Sequence, residues 1–250
     1  MKLALLSDLH ANLRAWKACL AHATEQGADR IAVLGDLVGY GAEPGAVVDE
    51  VMALVATGAI AIGGNHDEMA VAPAARAETF GNSGAAWTHE QLSPGQLAFL
   101  ADLPLLARVQ DAVLVHASAD EPGLWRYADS AAVAEASLDA ATQDKDVHYV
   151  FSGHVHQQQL WYRGAGRSLI AFGPSPGVPI PVPRHRQWLV TVGSVGQPRD
   201  GRTQAMYAMF DSDHARLTFH RVSYDHMAAA AAIRATGLPA IYADWLEQGH

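Results

Sequence analysis

The sequence predicts an α/β fold of two stacked mixed β-sheets flanked by helices. Three observations predict it. Short apolar runs alternate with amphipathic helical patterns through the first half of the chain. Strand-like runs crowd the stretch from about 157 to 222, and helical patterns return after it. The chain has 250 residues, half of them hydrophobic, which is enough to bury a substantial core. It carries no internal repeat and no linker, so 1–250 reads as one domain.

The elements follow in order. Leu3-Ala4-Leu5-Leu6 is a buried-strand pattern. A helix starts after Asn12 as N-cap, with Leu13, Trp16, Leu20 and Ala23 on one stripe, and Gly27 ends it. Ile31-Ala32-Val33-Leu34 is the second strand. Pro44 opens the next helix at its first position, Val47, Val48, Val51, Met52 and Val55 supply its apolar residues, and Gly58 closes it. Ala59-Ile60-Ala61-Ile62 is the third strand, and this alternation predicts a mostly parallel sheet. Residues 67–102 read as helical, with breaks near Gly81-Asn82 and Ser93-Pro94. Ala112–Val115 is the fourth strand, a helix covers about Ser130–Thr142, and Val147–Phe151 is the fifth strand. Runs at Leu160–Tyr162, Leu169–Phe172, Trp188–Val192, Ala205–Phe210 and Arg216–Val222 predict a second, more antiparallel sheet. The stretch Pro174–Pro183 reads as a loop or edge extension, because proline cannot donate to a ladder. Helices are expected after Asp225 and from Pro239.

Charge and cysteine content narrow the function classes. Seventeen Lys and Arg against twenty-six Asp and Glu leave a net charge of −9, which excludes a bulk nucleic-acid or anionic-membrane binder. No apolar run is long enough for a membrane span, and the first residues do not form a signal peptide. The single cysteine, Cys19, rules out an intrachain disulfide framework and fits a reducing compartment. A cytoplasmic protein is expected. Oligomeric state leaves no mark in the pattern. Thirteen histidines beside one cysteine point to metals held by nitrogen and oxygen.

The chemistry collects at the predicted strand ends. The five strands of the first half run into Ser7-Asp8-Leu9-His10, Gly35-Asp36, Gly63-Gly64-Asn65-His66-Asp67, His116 and Ser152-Gly153-His154-Val155-His156. Ligands of open α/β sheets bind beyond the carboxyl ends of strands, so Asp8, His10, Asp36, Asn65, His116, His154 and His156 should share one rim. In extended backbone, Asp8 and His10 would face the same way, and so would His154 and His156. Four imidazoles, two carboxylates and an amide oxygen exceed one tetrahedral ion and suit two ions that share a carboxylate. Alone, an Asp-x-His arises by chance about once in such a chain; Gly-Asn-His-Asp arises about once in a thousand. The ordered set, each member at a strand end, is the strong signal.

Together, Asp8-x-His10, Gly35-Asp36, Gly64-Asn65-His66-Asp67, His116 and Gly153-His154-x-His156 resemble the calcineurin-like metallophosphoesterase superfamily across nearly the whole chain. Residues Ser194-Val195-Gly196-Gln197-Pro198-Arg199-Asp200-Gly201 resemble a segment of a bacterial and archaeal branch of small, single-domain members. The resemblance implies an αββα sandwich with a dinuclear metal centre. It implies Asp8, His10 and His156 as ligands of the first metal, Asn65, His116 and His154 as ligands of the second, and Asp36 as the bridge. Gly39-Tyr40-Gly41 stands where serine/threonine protein phosphatases and symmetrical diadenosine tetraphosphate hydrolases carry Asp-Arg-Gly, which counts against those two subfamilies.

The expected activity is hydrolysis of phosphate esters, as a phosphodiesterase or phosphatase on a small or nucleotide-like substrate. Two divalent or trivalent ions (Mn, Fe or Zn) would turn a bridging water into a hydroxide nucleophile. His66 would protonate the leaving oxygen, with Asp67 holding its tautomer. Arg199 and Gln197 could reach a phosphate. Phe80, Asn82 and Trp87 could form a lid over a base, and Leu124–Tyr127 a second pocket wall. The alternative enzyme is an asymmetrical diadenosine tetraphosphate hydrolase, recognised by ATP plus AMP as products. A non-catalytic scaffold of the same fold would have shed His66 or several ligands, and this chain keeps them all.

Overall fold

A computed structural model describes residues 1–76, 79, 83–164 and 169–250. The elements run β1 (Lys2–Leu6), α1 (Leu13–Glu25), β2 (Arg30–Leu34), α2 (Pro44–Ala56), β3 (Ile60–Ile62), α3 (Asn65–Val71), α4 (Ala85–Gln91) and α5 (Pro94–Ala101). Then come β4 (Leu106–Val109), β5 (Ala112–Val115), α6 (Ala131–Ala141), β6 (Tyr149–Ser152), β7 (Gln158–Arg163), β8 (Leu169–Phe172) and β9 (Ile180–Pro181). The chain ends with β10 (Trp188–Val192), β11 (Ala205–Asp211), β12 (Arg216–Val222), α7 (His226–Arg234) and α8 (Ile241–Gln248). Local signals act where expected. The Asn12 side chain accepts from Ala15 N–H at 3.1 Å to cap α1, and Pro44 occupies the first turn of α2.

Among the described residues the strands form two mixed sheets, ordered β3-β2-β1-β11-β12-β9 and β4-β5-β6-β10-β7-β8. The two-sheet sandwich is as predicted; the division of strands is not. The motif-bearing strands do not lie in one sheet. β1, β2 and β3 pair in parallel in the first sheet, while β5 and β6 pair in parallel in the second. Each sheet is then widened by antiparallel strands from the later half, β11 beside β1 and β7 beside β10. The reason is burial on both faces. Leu3, Leu5, Leu34 and Ile62 meet Leu114, Tyr149, Phe151 and Val190 between the sheets. The alternate residues Ala4, Leu6 and Val33 pack outward against Trp16, Val47 and Val51 of α1 and α2. On the far face Val150 and Leu189 pack on Ala134 and Leu138 of α6.

Other departures are local. β4 was not expected; it is a hairpin partner of β5 whose Leu106 is exposed, so its apolar alternation is weak. The stretch after β3 is helical as expected, forming α3, α4 and α5 among the described residues with the break at Ser93-Pro94 between the last two; the break near Gly81-Asn82 lies outside the described residues. The Pro-rich stretch is an edge extension, with Ile180 and Pro181 opposite Leu217 and Arg216. No helix among the described residues is long and apolar enough to cross a membrane.

The seam between the sheets is tightest at Gly153. Its N–H donates to His116 O at 2.8 Å, and an added methyl would overlap Ser7 Oγ and the Asp8 carboxylate. Gly153→Ala should therefore cost about 1–3 kcal/mol and several degrees of Tm. Gly173→Ala, which meets nothing within 4 Å, should leave the Tm nearly unchanged. Calorimetry of both variants checks this; an unchanged Tm in Gly153→Ala contradicts the close approach.

Candidate metal centre

The strand ends of both sheets deliver the candidate residues to one rim. Asp8 and His10 follow β1, Asp36 follows β2, Asn65 opens α3 just after β3, His116 follows β5, and His154 and His156 follow β6. All but half-buried Asn65 are buried. The backbone that presents them is not extended. Asp8, His10, Asp36, His154 and His156 have φ of 54°, 47°, 52°, 64° and 60°. Left-handed backbone costs a non-glycine residue about 1–2 kcal/mol. The same-side placement inferred from an extended chain is thus corrected: tight left-handed turns, not strand alternation, bring each pair inward. Backbone hydrogen bonds hold the turns. Asp8 N–H donates to Gly35 O and His10 N–H to Asp36 O, both at 3.0 Å. The 194–201 segment braces them from behind, with Val195 N–H on Ser7 O (2.9 Å), Gly196 N–H on Asp8 O (2.8 Å) and Ser194 Oγ on Asp8 O (2.9 Å).

Two clusters result, each able to coordinate a divalent metal ion. Asp8, His10, Asp36 and His156 form one; Asp36, His116 and His154 form the other; within each, the ligand atoms lie within 4.8 Å of one another. Asp36 belongs to both. Asn65 Oδ1 stands 3.2 Å from His116 Nε2, beside the second cluster. All seven sequence-predicted ligand candidates are therefore brought together.

The protonation pattern calls for cations. His10, His116 and His156 place Nδ1 on the carbonyl oxygens of Val38 (3.1 Å), Leu34 (2.7 Å) and Gln197 (2.5 Å). A carbonyl only accepts, so each Nδ1 carries a hydrogen, and each ring turns its Nε2 toward the centre. Yet His10 Nε2 faces His156 Nε2 at 3.0 Å. His116 Nε2 faces Asp36 Oδ2 at 3.3 Å as well as the Asn65 oxygen. Asp36 Oδ2 and His154 Nε2 are buried with no hydrogen-bond partner. Buried nitrogen and oxygen ligand atoms converging in this way, two of them unpartnered, fit metal ions.

The electrostatics agree. Burial works to raise the Asp8 and Asp36 carboxyls, but the imidazoles of His156 and His116 respectively outweigh it and hold both below the usual carboxylate range. Burial pushes His10 down and His154 to about 4. For His116 burial acts downward, but Asp36 and then Asp8 overcome it and raise the group to about 10.

His66 sits at the edge of the centre. Its N–H donates to Asp36 Oδ1 at 2.8 Å, and its ring lies 4.5 Å from Tyr40 and 5.0 Å from His10, centroid to centroid. Burial lowers its pKa to about 4, against the opposing pull of Asp36. Asp67 does not hold the His66 tautomer. Its carboxylate accepts from Leu37 N–H (2.8 Å), Val38 N–H (3.2 Å) and Gly64 N–H (3.0 Å), because successive helix residues point apart. It braces the loop that carries Asp36. Trp87 is half-buried and packs with Leu238 and Tyr242 in the apolar cluster of α7 and α8, which also takes in Tyr40. Phe80 and Asn82 lie outside the described residues.

Arg199 and Gln197 do lie beside the centre. Arg199 N–H donates to His156 O at 3.4 Å, and the Gln197 carbonyl anchors His156. In the Leu124–Tyr127 run, only alternate side chains face the clusters. Tyr127 stacks on His154 at 4.0 Å and Trp125 meets His116 edge-on at 5.8 Å, whereas Leu124 is exposed and Arg126 pairs with Asp120 and Glu121. Tyr40 was missed as a site residue. Its ring touches His10, His66 and Arg199, and its flanking glycines after Asp36 were the available signal.

Metal loading should release protons. His116 in the metal-free protein holds its proton up to about pH 10, so Nε2 must surrender it to take an ion. Its raised pKa stabilises the metal-free fold below the ordinary pKa of 6.5, and that contribution is lost as pH rises through about 10. Calorimetric titration with Mn²⁺ at pH 7.5, in buffers of different ionisation enthalpy, should show roughly one proton released per chain and weaker binding as pH falls. His116→Gln should release fewer. Proton-neutral, pH-independent binding contradicts this charge assignment.

Comparison with known proteins places this geometry in a family. A model described as the calcineurin-like phosphoesterase superfamily domain matches residues 1–215. An uncharacterised protein of Methanocaldococcus jannaschii is 31% identical over 251 residues, spanning 98% of this chain and 95% of the relative. The crystal structure of a metallophosphoesterase from Sphaerobacter thermophilus superposes over all of both chains with a TM-score of 0.86 and 33% identity. A hypothetical protein from Pyrococcus horikoshii shares the fold, with a TM-score of 0.77, 18% identity, and coverage of 100% of this chain and 98% of that one. With its sandwich and its paired strand-end clusters, the chain belongs to the calcineurin-like metallophosphoesterase superfamily, among its small members.

Proposed function

We propose that the protein is a dinuclear-metal-dependent hydrolase of phosphate esters, acting as a phosphodiesterase or phosphatase on a small or nucleotide-like substrate. The observation that carries the reading is the pair of buried clusters sharing Asp36, with Asp36 Oδ2 and His154 Nε2 left without a hydrogen-bond partner. Asp8, His10 and His156 would hold one ion, Asn65, His116 and His154 the other, and Asp36 both. Imidazole, carboxylate and amide oxygen suit Mn, Fe or Zn. When bound, the ions supply Lewis acidity to phosphoryl oxygens and make water a nucleophile near neutral pH.

The chain's own groups do the rest. Three Nδ1 anchors on carbonyls fix the ring orientations, so little reorganisation is needed when substrate arrives. His66 serves as the proton donor to the leaving oxygen from Nε2, its Nδ1 edge being packed against Gly39. Burial keeps it neutral in the free protein, and an anionic phosphate ester beside it favours the imidazolium form. Tyr127 and Trp125 line the second cluster and exclude water from one side.

A panel of p-nitrophenyl phosphate, bis-p-nitrophenyl phosphate and nucleotides with added Mn²⁺ tests the reading. The wild type should hydrolyse at least one class, and Asp36→Asn should lose about 10²–10³ in kcat or more. His66→Ala should lose about 10²–10⁴ in kcat while keeping its metal. Full metal loading with no hydrolysis across the panel refutes the hydrolase. Near-normal turnover of His66→Ala removes that residue from the mechanism.

A further inference from the structure

Beside the first cluster, donors gather without acceptors. Arg199 is half-buried, and among the described residues no carboxylate lies within ion-pair distance of it. The nearby acids are engaged elsewhere: Asp200, next in sequence, pairs with Arg221, and Glu43 pairs with Arg14. Arg199 is held by neutral groups. Its Nη2 donates to Tyr40 Oη at 3.3 Å and Gln197 Oε1 at 3.2 Å, and the guanidinium lies 5.8 Å from the Tyr40 ring centroid. Neutral partners orient a cation without cancelling its charge.

The same contacts leave two further donors available. Gln197 is 2% exposed, and because Arg199 takes its Oε1, its Nε2 is a buried donor with no partner. Tyr40 accepts from Arg199 and keeps its own O–H hydrogen free to donate to a ligand. A buried amide donor left unpaired costs about 1–3 kcal/mol. A guanidinium, an amide N–H and a phenol O–H together ask for an anionic oxygen ligand. The group is one ring away from the metal clusters, since Tyr40 lies 4.7 Å from the His10 ring and 4.5 Å from the His66 ring. That is too far back to serve as a metal ligand set and suits a group attached to the scissile phosphate.

We infer that Arg199, Gln197 and Tyr40 form a subsite for a second phosphoryl group, so that the preferred substrates carry at least two adjacent phosphates. The inference rests on the phosphate-ester reading above. Arg199 and Gln197 accept the second phosphoryl group, and Tyr40 positions the guanidinium from below.

Inhibition tests it with ADP and AMP as probes against bis-p-nitrophenyl phosphate hydrolysis, with Mn²⁺ in excess. ADP should inhibit the wild type about 10- to 100-fold more tightly than AMP, the scale of one charge-assisted contact. Arg199→Gln should bring the ratio to within about threefold of unity, and Gln197→Leu should reduce it, with Tm and metal content as controls for folding. Tyr40→Phe should also reduce the ratio, because it loses the phenol O–H and its hold on Arg199. Equal inhibition by ADP and AMP in the wild type, or an undiminished ratio in folded, metal-loaded Arg199→Gln, overturns the subsite. Calorimetric binding of ADP and AMP separates the two claims. A preference for ADP in a protein that hydrolyses nothing keeps the subsite and defeats the hydrolase; active hydrolysis with no preference does the reverse.

Discussion

The rest of the molecule depends on holding buried ring nitrogens and carboxylates close together around one centre. His10 and His156 point Nε2 at each other across 3.0 Å, and His116 points Nε2 at a carboxylate and an amide oxygen. Such an arrangement asks for positive charge at its centre, from the His116 proton in the metal-free protein and from metal ions when they bind. The fold supplies the force that keeps it. Left-handed turns at Asp8, His10, Asp36, His154 and His156 are each strained; bonds to Gly35 O and Asp36 O and from Gly196 N–H hold the first pair, and bonds from Gly153 N–H to His116 O and from Arg199 N–H to His156 O hold the last. The close approach of Gly153 to Ser7 and Asp8 belongs to the same set of constraints, since any side chain there would part the two rims.

Two sheets make this possible. One sheet's strand ends would present the residues along a line; two facing sheets present them from opposite sides of one centre. β1 and β2 bring Asp8, His10 and Asp36 from one side, and β5 and β6 bring His116, His154 and His156 from the other. Asp67 and the 194–197 segment act behind the ligands. Asp67 ties the Asp36 loop to the start of α3, and Gln197 O fixes the His156 ring. These are supports for metal chemistry, and they explain why Asp67 and Ser194, with no place among the clusters, are buried with their side chains on backbone groups.

Much of this was legible in the chain itself, for physical reasons. Buried strands are short continuous apolar runs, and β1, β2, β3, β5 and β10 have that form. Caps at Asn12 and Pro44 carry local chemistry and were read correctly. The seven strand-end residues were legible because strand ends in such sheets collect ligands. The division of strands between sheets was not, since strand pairing depends on contacts far apart in the chain, such as parallel β6 with β10 and antiparallel β1 with β11. Asp67 was misassigned because sequence adjacency to His66 suggested contact where helix geometry separates them. Trp87 stays open between lid and core in the sequence because an aromatic between helices packs as readily as it binds. Tyr40 escaped because its importance comes from Arg199, 159 positions away.

The net charge of −9 takes on a more specific meaning in this setting. The acidic surface is no obstacle to a phosphate substrate if positive charge is local: two ions at the clusters and one uncompensated guanidinium beside them. Everything here turns on the ions being two and sharing Asp36. Anomalous diffraction from crystals grown with Mn²⁺ measures that directly. The account predicts two peaks per chain, one among Asp8, His10 and His156 and one among Asn65, His116 and His154, with Asp36 between them. A single peak, or none at these residues, contradicts it.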